Sequence, residues 1–145
     1  MAEAASCAAA KDEIMVRLSR ASETSADDVL NADGYIFVMP ENLAAIAGTM
    51  KDFFDRTYYP VLERLNGRPY TALICAGSDG TNAARQIARI ATGWRLRAIG
   101  EPLIILTHAQ TPEQILSPKT IGANDLRRCA EIGATMAAGL ASGIF

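Results

Sequence analysis

The stretch that decides the fold is MPENLAAIAGTMKDFFDRTYYP, Met39–Pro60. It begins at the end of an apolar run typical of a buried strand, Tyr35–Met39. A loop of small residues, Pro40–Gly48, follows and leads into an amphipathic helix, Thr49–Tyr58. Open α/β sheets bind ligands outside the carboxyl ends of their strands, and small residues at a helix N terminus let backbone N–H groups approach a flat or anionic ligand. The stretch therefore predicts an α/β fold with a ligand site at the loop.

The rest of the chain continues the alternation of strands and helices. Three further strands are predicted: Glu13–Ser19, Tyr70–Gly77 and Pro102–Thr107. Two further helices are predicted, Asn82–Arg95 and Ala123–Phe145, and Ser25–Asn31 is expected to form a short helix at most. This alternation, in a chain of 145 residues, indicates one α/β domain over residues 1–145 with a mainly parallel sheet of about four strands.

Local signals set the expected ends of the helix at Thr49–Tyr58. Thr49, with Asp52 three residues later, resembles a capping box and predicts the start of the helix. Asp52 and Arg56 are four residues apart in the favourable order for an ion pair. Pro60 predicts that the helix ends just before it, because the residue ahead of a proline is biased away from the helical region.

The composition excludes several classes of protein. Half of the residues are hydrophobic and the net charge is −2, so no basic surface for nucleic acid is expected. No apolar run reaches the roughly 18 residues of a membrane span, and the first residues lack the basic region of a signal peptide. Cys7, Cys75 and Cys129 match neither a disulfide framework nor a metal-ligand spacing. We expect three buried or half-buried thiols in a reducing cytoplasm.

A second loop of small residues follows the strand at Tyr70–Gly77. It reads GSDGT, Gly77–Thr81, and leads directly into the helix at Asn82–Arg95. Taken alone, this sequence is a common turn followed by a helix N-cap. Like Pro40–Gly48, however, it lies where open α/β sheets bind their ligands.

Met39–Pro60 resembles the loop-and-helix signature of flavodoxin-like FMN proteins, and more narrowly that of NAD(P)H-dependent FMN reductases and flavodoxin-family oxidoreductases. The family pattern is a strand, Pro-x-x, small residues ending in Ser/Ala-Gly, and then Lys-x-Phe/Leu-Phe/Leu-Asp-Arg. The matching residues are Pro40-Glu41-Asn42, Ala47-Gly48 and Lys51-Asp52-Phe53-Phe54-Asp55-Arg56. Residues 75–97 and 109–145 are similar to the same group. The resemblance implies a three-layer flavodoxin-like fold, with helices on both faces of a parallel sheet.

The resemblance also implies that the two loops border the isoalloxazine ring of FMN. One side would be formed by Pro40, Glu41, Asn42, Leu43 and Gly48, and the other by Ala76, Gly77, Ser78, Asp79 and Gly80. The hydride chemistry belongs to the cofactor, so no side chain is expected to act as a catalytic acid, base or nucleophile. NAD(P)H is the implied electron donor, and a quinone or flavin the acceptor. A homodimer is expected, because flavin sites in related proteins often lie at a subunit boundary.

The family pattern has a further element ahead of these two loops. A first strand runs into a Ser/Thr/Gly-rich loop that wraps the FMN phosphate at the N terminus of the first helix. This chain opens with MAEAASCAAAK, Met1–Lys11, which resembles the later part of that helix. Three interpretations stay open: a longer protein, a truncated variant whose second strand pairs directly with the third or with a partner chain, and a remnant without FMN. From these residues alone we expect weak FMN binding or none, because a buried phosphate without donors is poorly held.

The sequence therefore supports two functions. The first is an FMN-dependent NAD(P)H oxidoreductase, and the second is a cofactor-free domain that acts as an interaction or structural protein. A one-electron carrier is disfavoured, because flavodoxins proper usually have a strongly acidic surface and this chain has a net charge of −2. A phosphorylated receiver module would need an acceptor aspartate at the end of the strand, where Met39-Pro40-Glu41 offers none.

Overall fold

The computed structural model describes residues 1–11 and 14–145. Among these residues are five strands: β1 (Tyr35–Asn42), β2 (Ala45–Ile46), β3 (Pro69–Ala76), β4 (Arg97–Ala98) and β5 (Leu103–Leu106). They alternate with six α-helices: α1 (Ala2–Ala9), α2 (Ala26–Leu30), α3 (Gly48–Val61), α4 (Thr81–Gly93), α5 (Pro112–Leu116) and α6 (Ala123–Ala141). The predicted strands at Tyr35–Met39, Tyr70–Gly77 and Pro102–Thr107 are confirmed, with shifted ends.

The sheet is mainly parallel, as the sequence predicts. Strand β3 lies beside β1, with Tyr35 opposite Tyr70 and Pro40 opposite Cys75. On its other edge β3 pairs in parallel with β4 at its start and with β5 at its end. Only β2, among the described strands, runs antiparallel, in a short hairpin with β1. The carboxyl ends of β1, β3 and β5 therefore lie at one edge of the sheet.

Helices cover both faces of this sheet and form two apolar cores. On one face Phe37 of β1 packs with Phe54, whose ring centre is 5.2 Å away, and Phe54 in turn contacts the fully buried Trp94 at 5.1 Å. On the other face the buried Leu73 of β3 packs with Cys129 of α6. Neighbouring strand residues point to opposite faces, which accounts for continuous apolar strands between two helical layers.

Helix α1 lies very close to α6. A Cβ atom built on Gly133 of α6 would lie 2.0 Å from the carbonyl oxygen of Ala5 in α1. Ala5 is buried at this contact. The Ala-rich sequence of α1 and the glycine on α6 thus let two backbones approach, and this holds α1 on the sheet.

The predicted strand at Glu13–Ser19 is wrong over the residues that the structure describes. Glu13 lies outside the described residues, and Ile14–Ser19 forms no strand, with Met15 97% exposed. A strand needs a neighbouring edge for its backbone hydrogen bonds, and no described strand pairs with this segment. Nor does the segment pair directly with β1, as one of the interpretations proposed. Among described residues, the outer edge of β1 is paired only with β2, at Glu41 and Asn42.

Helix α3 is longer at both ends than the sequence predicts. The capping box at Thr49 is wrong, because Ala47 is the N-cap and its carbonyl accepts the N–H groups of Met50 and Lys51. Pro60 lies inside the last turn, and the helix continues to Val61, which is fully buried. The burial of that side chain offsets the poor fit of proline in a helix. The predicted ion pair of Arg56 with Asp52 is confirmed at 2.8 Å.

The long segment after β5 is held by local signals. In α5, Thr111 and Gln114 form a capping box. No residue of α5 is buried, and Ile115 and Leu116 are exposed.

Of the helices in the described residues, none combines the length and the apolar character needed to cross a membrane.

Candidate cofactor site

The first predicted loop, Pro40–Gly48, is in fact a β-hairpin followed by a helix. Strand β1 continues through Asn42, a two-residue turn reverses the chain, and β2 pairs back on β1 before α3 begins. The sequence prediction missed this hairpin because none of the usual turn pairs, such as Asn-Gly, stands at its tip. Pro40, Asn42 and Gly48 are exposed at this edge, and Glu41 is half-buried.

The tip of the hairpin is strained. Leu43 has a φ of 51° and Ala44 a φ of 56°, which is the left-handed conformation that residues other than glycine, asparagine and aspartate seldom adopt. Such a conformation costs about 1–2 kcal/mol per residue. The side chain of Leu43 is also completely exposed. Strain of this kind concentrates at ligand sites, so the turn supports the prediction that Leu43 borders one.

The second predicted loop lies beside this hairpin. It leaves β3 at Ala76, passes Gly77, Ser78 and Asp79, and starts α4 with Gly80 as N-cap. Gly80 has a φ of 82°, and a Cβ atom there would lie 2.6 Å from a methyl carbon of Ile104. Only glycine fits this position. Ser78 and Asp79 are exposed at the same edge of the sheet as the hairpin.

Three hydrogen bonds join the hairpin to the second loop and to the start of α4. Gly80 N–H donates to Oε2 of Glu41 at 2.9 Å. Asn82 donates its side-chain amide to the carbonyl of Ala44, and the N–H of Ile46 donates to Oε1 of Gln86 at 3.0 Å. We call these three bonds the clasp. Sequence reasoning placed Glu41 and Gly80 on opposite walls and missed Asn82 and Gln86 entirely, because their partners are backbone groups about 40 residues away.

A third segment reaches the same edge. After β5, Thr107 donates its N–H to the carbonyl of Ala76 at 2.8 Å. The carbonyl oxygen of Ala109 approaches so closely that a Cβ on Gly77 would be 3.0 Å from it. His108, between these residues, is exposed with a φ of 56°. The sequence analysis did not include this segment among the site residues.

The charges at this edge are mixed. The carboxylates of Glu41 and Asp79 lie on the hairpin and on the second loop, and Asp79 accepts a hydrogen bond from the hydroxyl of Thr81. Burial raises the pKa of the Cys75 thiol, and the positive charge of Lys119 partly opposes this shift. Cys75 is therefore a neutral thiol at pH 7 and no ready nucleophile.

Comparison with known proteins agrees with this geometry. The family described as "NADPH-dependent FMN reductase" matches residues 7–111, which include both loops and the clasp. The chain belongs to this family. A search of curated protein sequences finds no match.

Solved structures resemble this FMN reductase family member in fold. A flavodoxin from the domain Archaea is 18% identical, with a TM-score of 0.75, and the match covers 94% of this chain and 85% of that one. Flavodoxin 1 from Bacillus cereus is 14% identical, with a TM-score of 0.74 and coverage of 94% and 86%. The flavodoxin of Megasphaera elsdenii is 14% identical, with a TM-score of 0.70 and coverage of 94% and 88%. At these identities the likeness establishes a flavodoxin-like fold.

The starts of α3 and α4 differ in how well each would fit the phosphate of FMN. A Cβ atom on Gly48 would meet no atom within 4 Å, so space is open at the start of α3, where the first backbone N–H groups of a helix have no partner inside it. The start of α4 is less suited to a phosphate, because the carboxylates of Glu41 and Asp79 lie beside it and repel an anion. The start of α4 therefore fits a phosphate poorly, and the two loops as walls of the ring remain a prediction.

Proposed function

We propose that this protein binds FMN between the hairpin and the second loop and acts as an NAD(P)H-dependent oxidoreductase. The observation that carries the proposal is the joining of the two loops by the clasp, at the carboxyl ends of neighbouring parallel strands, in a member of the FMN reductase family. A small acceptor, such as a quinone or a free flavin, would receive the electrons. A homodimer and a cytoplasmic location remain predictions.

The residues of this chain would hold and orient the cofactor. When bound, FMN supplies hydride chemistry, which needs no acid or base from the protein. Residues of the hairpin, from Pro40 to Leu43, and Gly48 would border one side of the ring, while Ala76 to Gly80 would border the other. The exposed backbone near Gly48 and Ser78 offers N–H donors for the polar edge of the ring.

A second candidate function is a cofactor-free interaction or structural domain. It is favoured by a specific observation: the carboxylates of Glu41 and Asp79 lie beside the start of α4 and would repel a phosphate there. FMN held by its ring alone would bind weakly. The two functions therefore differ in a measurable quantity, the affinity for FMN.

A titration of the purified protein with FMN, followed by the quenching of flavin fluorescence, tests the proposal. The proposal predicts saturable binding, and oxidation of NADH or NADPH with a quinone as acceptor. Binding without NAD(P)H oxidation would point to an electron carrier, and no binding at all would favour the cofactor-free domain.

A pair of glycine variants locates the site. A Cβ atom added to Gly48 or to Gly100 would meet open space, and neither residue has a positive φ, so a side chain can begin at either position without a clash. We expect G48V to weaken FMN binding at least about tenfold, because the side chain enters the ring space, a loss equivalent to one well-placed contact. G100V should bind FMN like the parent protein. Equal affinities for the two variants would place the flavin elsewhere.

A further inference from the structure

We infer that Glu41 is a positioning residue whose carboxylate, by accepting the N–H of Gly80, fixes the distance between the two loops. The role of Glu41 in cofactor binding rests on the proposed function. The hydrogen bond between Glu41 and Gly80 does not depend on a cofactor. Glu41 is the last partly buried residue of β1 before the strained turn. Gly80 is the N-cap of α4. A bond between them therefore connects the ends of two neighbouring strands.

The geometry makes Glu41 the natural partner of α4. Gly80 has no side chain, so α4 has no side-chain cap of its own. The carboxylate of Glu41 lies 2.9 Å from the Gly80 nitrogen and places a negative charge at the positive end of the helix, which stabilises both groups. Among described residues, no lysine or arginine forms a salt bridge with Glu41. Its contact in the clasp is thus to the helix and not to a cation.

Gly80 is held from its other side as well. Its α-carbon packs so closely on Ile104 of β5 that a Cβ would be 2.6 Å from that side chain. The residue is buried. Gly80 therefore lies between Glu41 of β1 and Ile104 of β5, and the position of the second loop depends on both neighbours. Loss of the Glu41 carboxylate removes one of these two contacts.

The other two bonds of the clasp do not replace it. They join the hairpin to α4 further along, at Asn82 and at Gln86, where the helix is already formed. Within the clasp, only the Glu41 bond reaches the loop Gly77–Gly80 itself. Without it we expect the loop to sample more open conformations while α4 stays in place.

Three variants test this inference: E41A, E41Q and the control E131A. Alanine removes the acceptor, whereas the amide oxygen of glutamine can still accept from the Gly80 N–H without the charge. Glu131 is an exposed glutamate on α6, on another part of the molecule. Amide hydrogen exchange of Gly80, measured by NMR on protein without FMN, reports the bond directly.

We expect exchange at Gly80 to be at least about tenfold faster in E41A, from the loss of a hydrogen bond to a charged group. Exchange in E41Q should lie between E41A and the parent, because glutamine keeps the hydrogen bond but not its charge, and E131A should not change it. FMN affinity should follow the same order, about tenfold weaker in E41A and largely restored in E41Q. Restoration by glutamine shows that the hydrogen bond, and not the charge, positions the loop, since both variants lose the charge.

The outcomes separate this inference from the proposed function. If E41A leaves the exchange of Gly80 unchanged, the inference is wrong. If exchange rises in E41A but FMN binds as tightly as to the parent, Glu41 does not position the loops for the cofactor. That result overturns the role of Glu41 in FMN binding. If the parent protein binds no FMN, the proposed function fails, and the exchange data alone decide whether Glu41 fixes the loops.

Discussion

Replacing Gly133 with alanine tests how α1 is held on the sheet. In a helix interior alanine is favoured over glycine by about 1 kcal/mol, so helix propensity alone predicts a more stable protein. The structure predicts the opposite. The added Cβ would lie 2.0 Å from the carbonyl oxygen of Ala5 and 2.8 Å from its α-carbon.

The magnitude follows from that distance. Real Cβ atoms essentially never come closer than 3.0 Å to such a neighbour, so α1 and α6 must separate by about 1 Å at this point. Overpacking of this kind costs about 1–3 kcal/mol, and the upper end applies because a backbone atom cannot rotate away. After the gain in propensity, we expect G133A to be less stable by about 2 kcal/mol, which lowers Tm by about 4–8 °C.

Urea unfolding measures this loss. Trp94 is the only tryptophan and is fully buried on the opposite face of the sheet, so its fluorescence reports unfolding of the chain without directly sensing the mutated contact. G48A is the control, because a Cβ there meets no atom within 4 Å, and it should be neutral or slightly stabilising. The double variant A5G/G133A should not recover stability, since the clash is with the backbone of Ala5. A G133A protein as stable as the parent would refute the close packing of α1 on α6.

Four other predictions concern the core, the hairpin and the thiols. Phe54→Ala removes a ring that is only 2% exposed and should cost about 3–5 kcal/mol in urea unfolding; a loss below about 1 kcal/mol would contradict the described core. The double variant L43N/A44G suits the positive φ angles of the turn and should raise the free energy of unfolding by about 1–2 kcal/mol in urea unfolding; an unchanged or lower stability would contradict a left-handed turn at these residues. Burial raises the pKa of the Cys129 thiol above its ordinary value of 9.0. The folded chain therefore keeps this proton at a pH where the unfolded chain loses it. The free energy of unfolding should fall as pH rises above about 9. At pH 8 a thiol reagent should label the exposed Cys7 quickly and Cys129 only after unfolding, and equal rates would contradict this burial.

Much of the fold was predictable because it depends on local patterns. Continuous apolar runs predicted the three long strands, and helical spacing predicted that Phe53 and Phe54 face the core, where both are buried. The prediction for Cys7 was wrong, because this thiol is exposed. Its Ala-rich surroundings carry too little periodicity to show which face of α1 packs on α6.

The parts that failed depend on partners distant in sequence. Ile14–Ser19 has the alternation of a strand, but a strand also requires an edge to pair with, and a one-dimensional pattern does not contain that edge. The clasp failed for the same reason. The residues near Gln86 in the sequence do not indicate that its side-chain oxygen Oε1 accepts a hydrogen bond from the N–H of Ile46. The sequence could predict two loops at the carboxyl ends of neighbouring strands, whereas the contacts between them are visible only in three dimensions.

The strained turn and the clasp depend on each other energetically. Two left-handed residues, Leu43 and Ala44, cost about 2–4 kcal/mol together. The three bonds of the clasp contribute about 0.5–1.5 kcal/mol each, and more for the one to the carboxylate of Glu41. The two amounts are similar, and one of the bonds is made by the carbonyl of Ala44 itself. The clasp thus offsets the strain of a hairpin whose tip, at Leu43, is fully exposed.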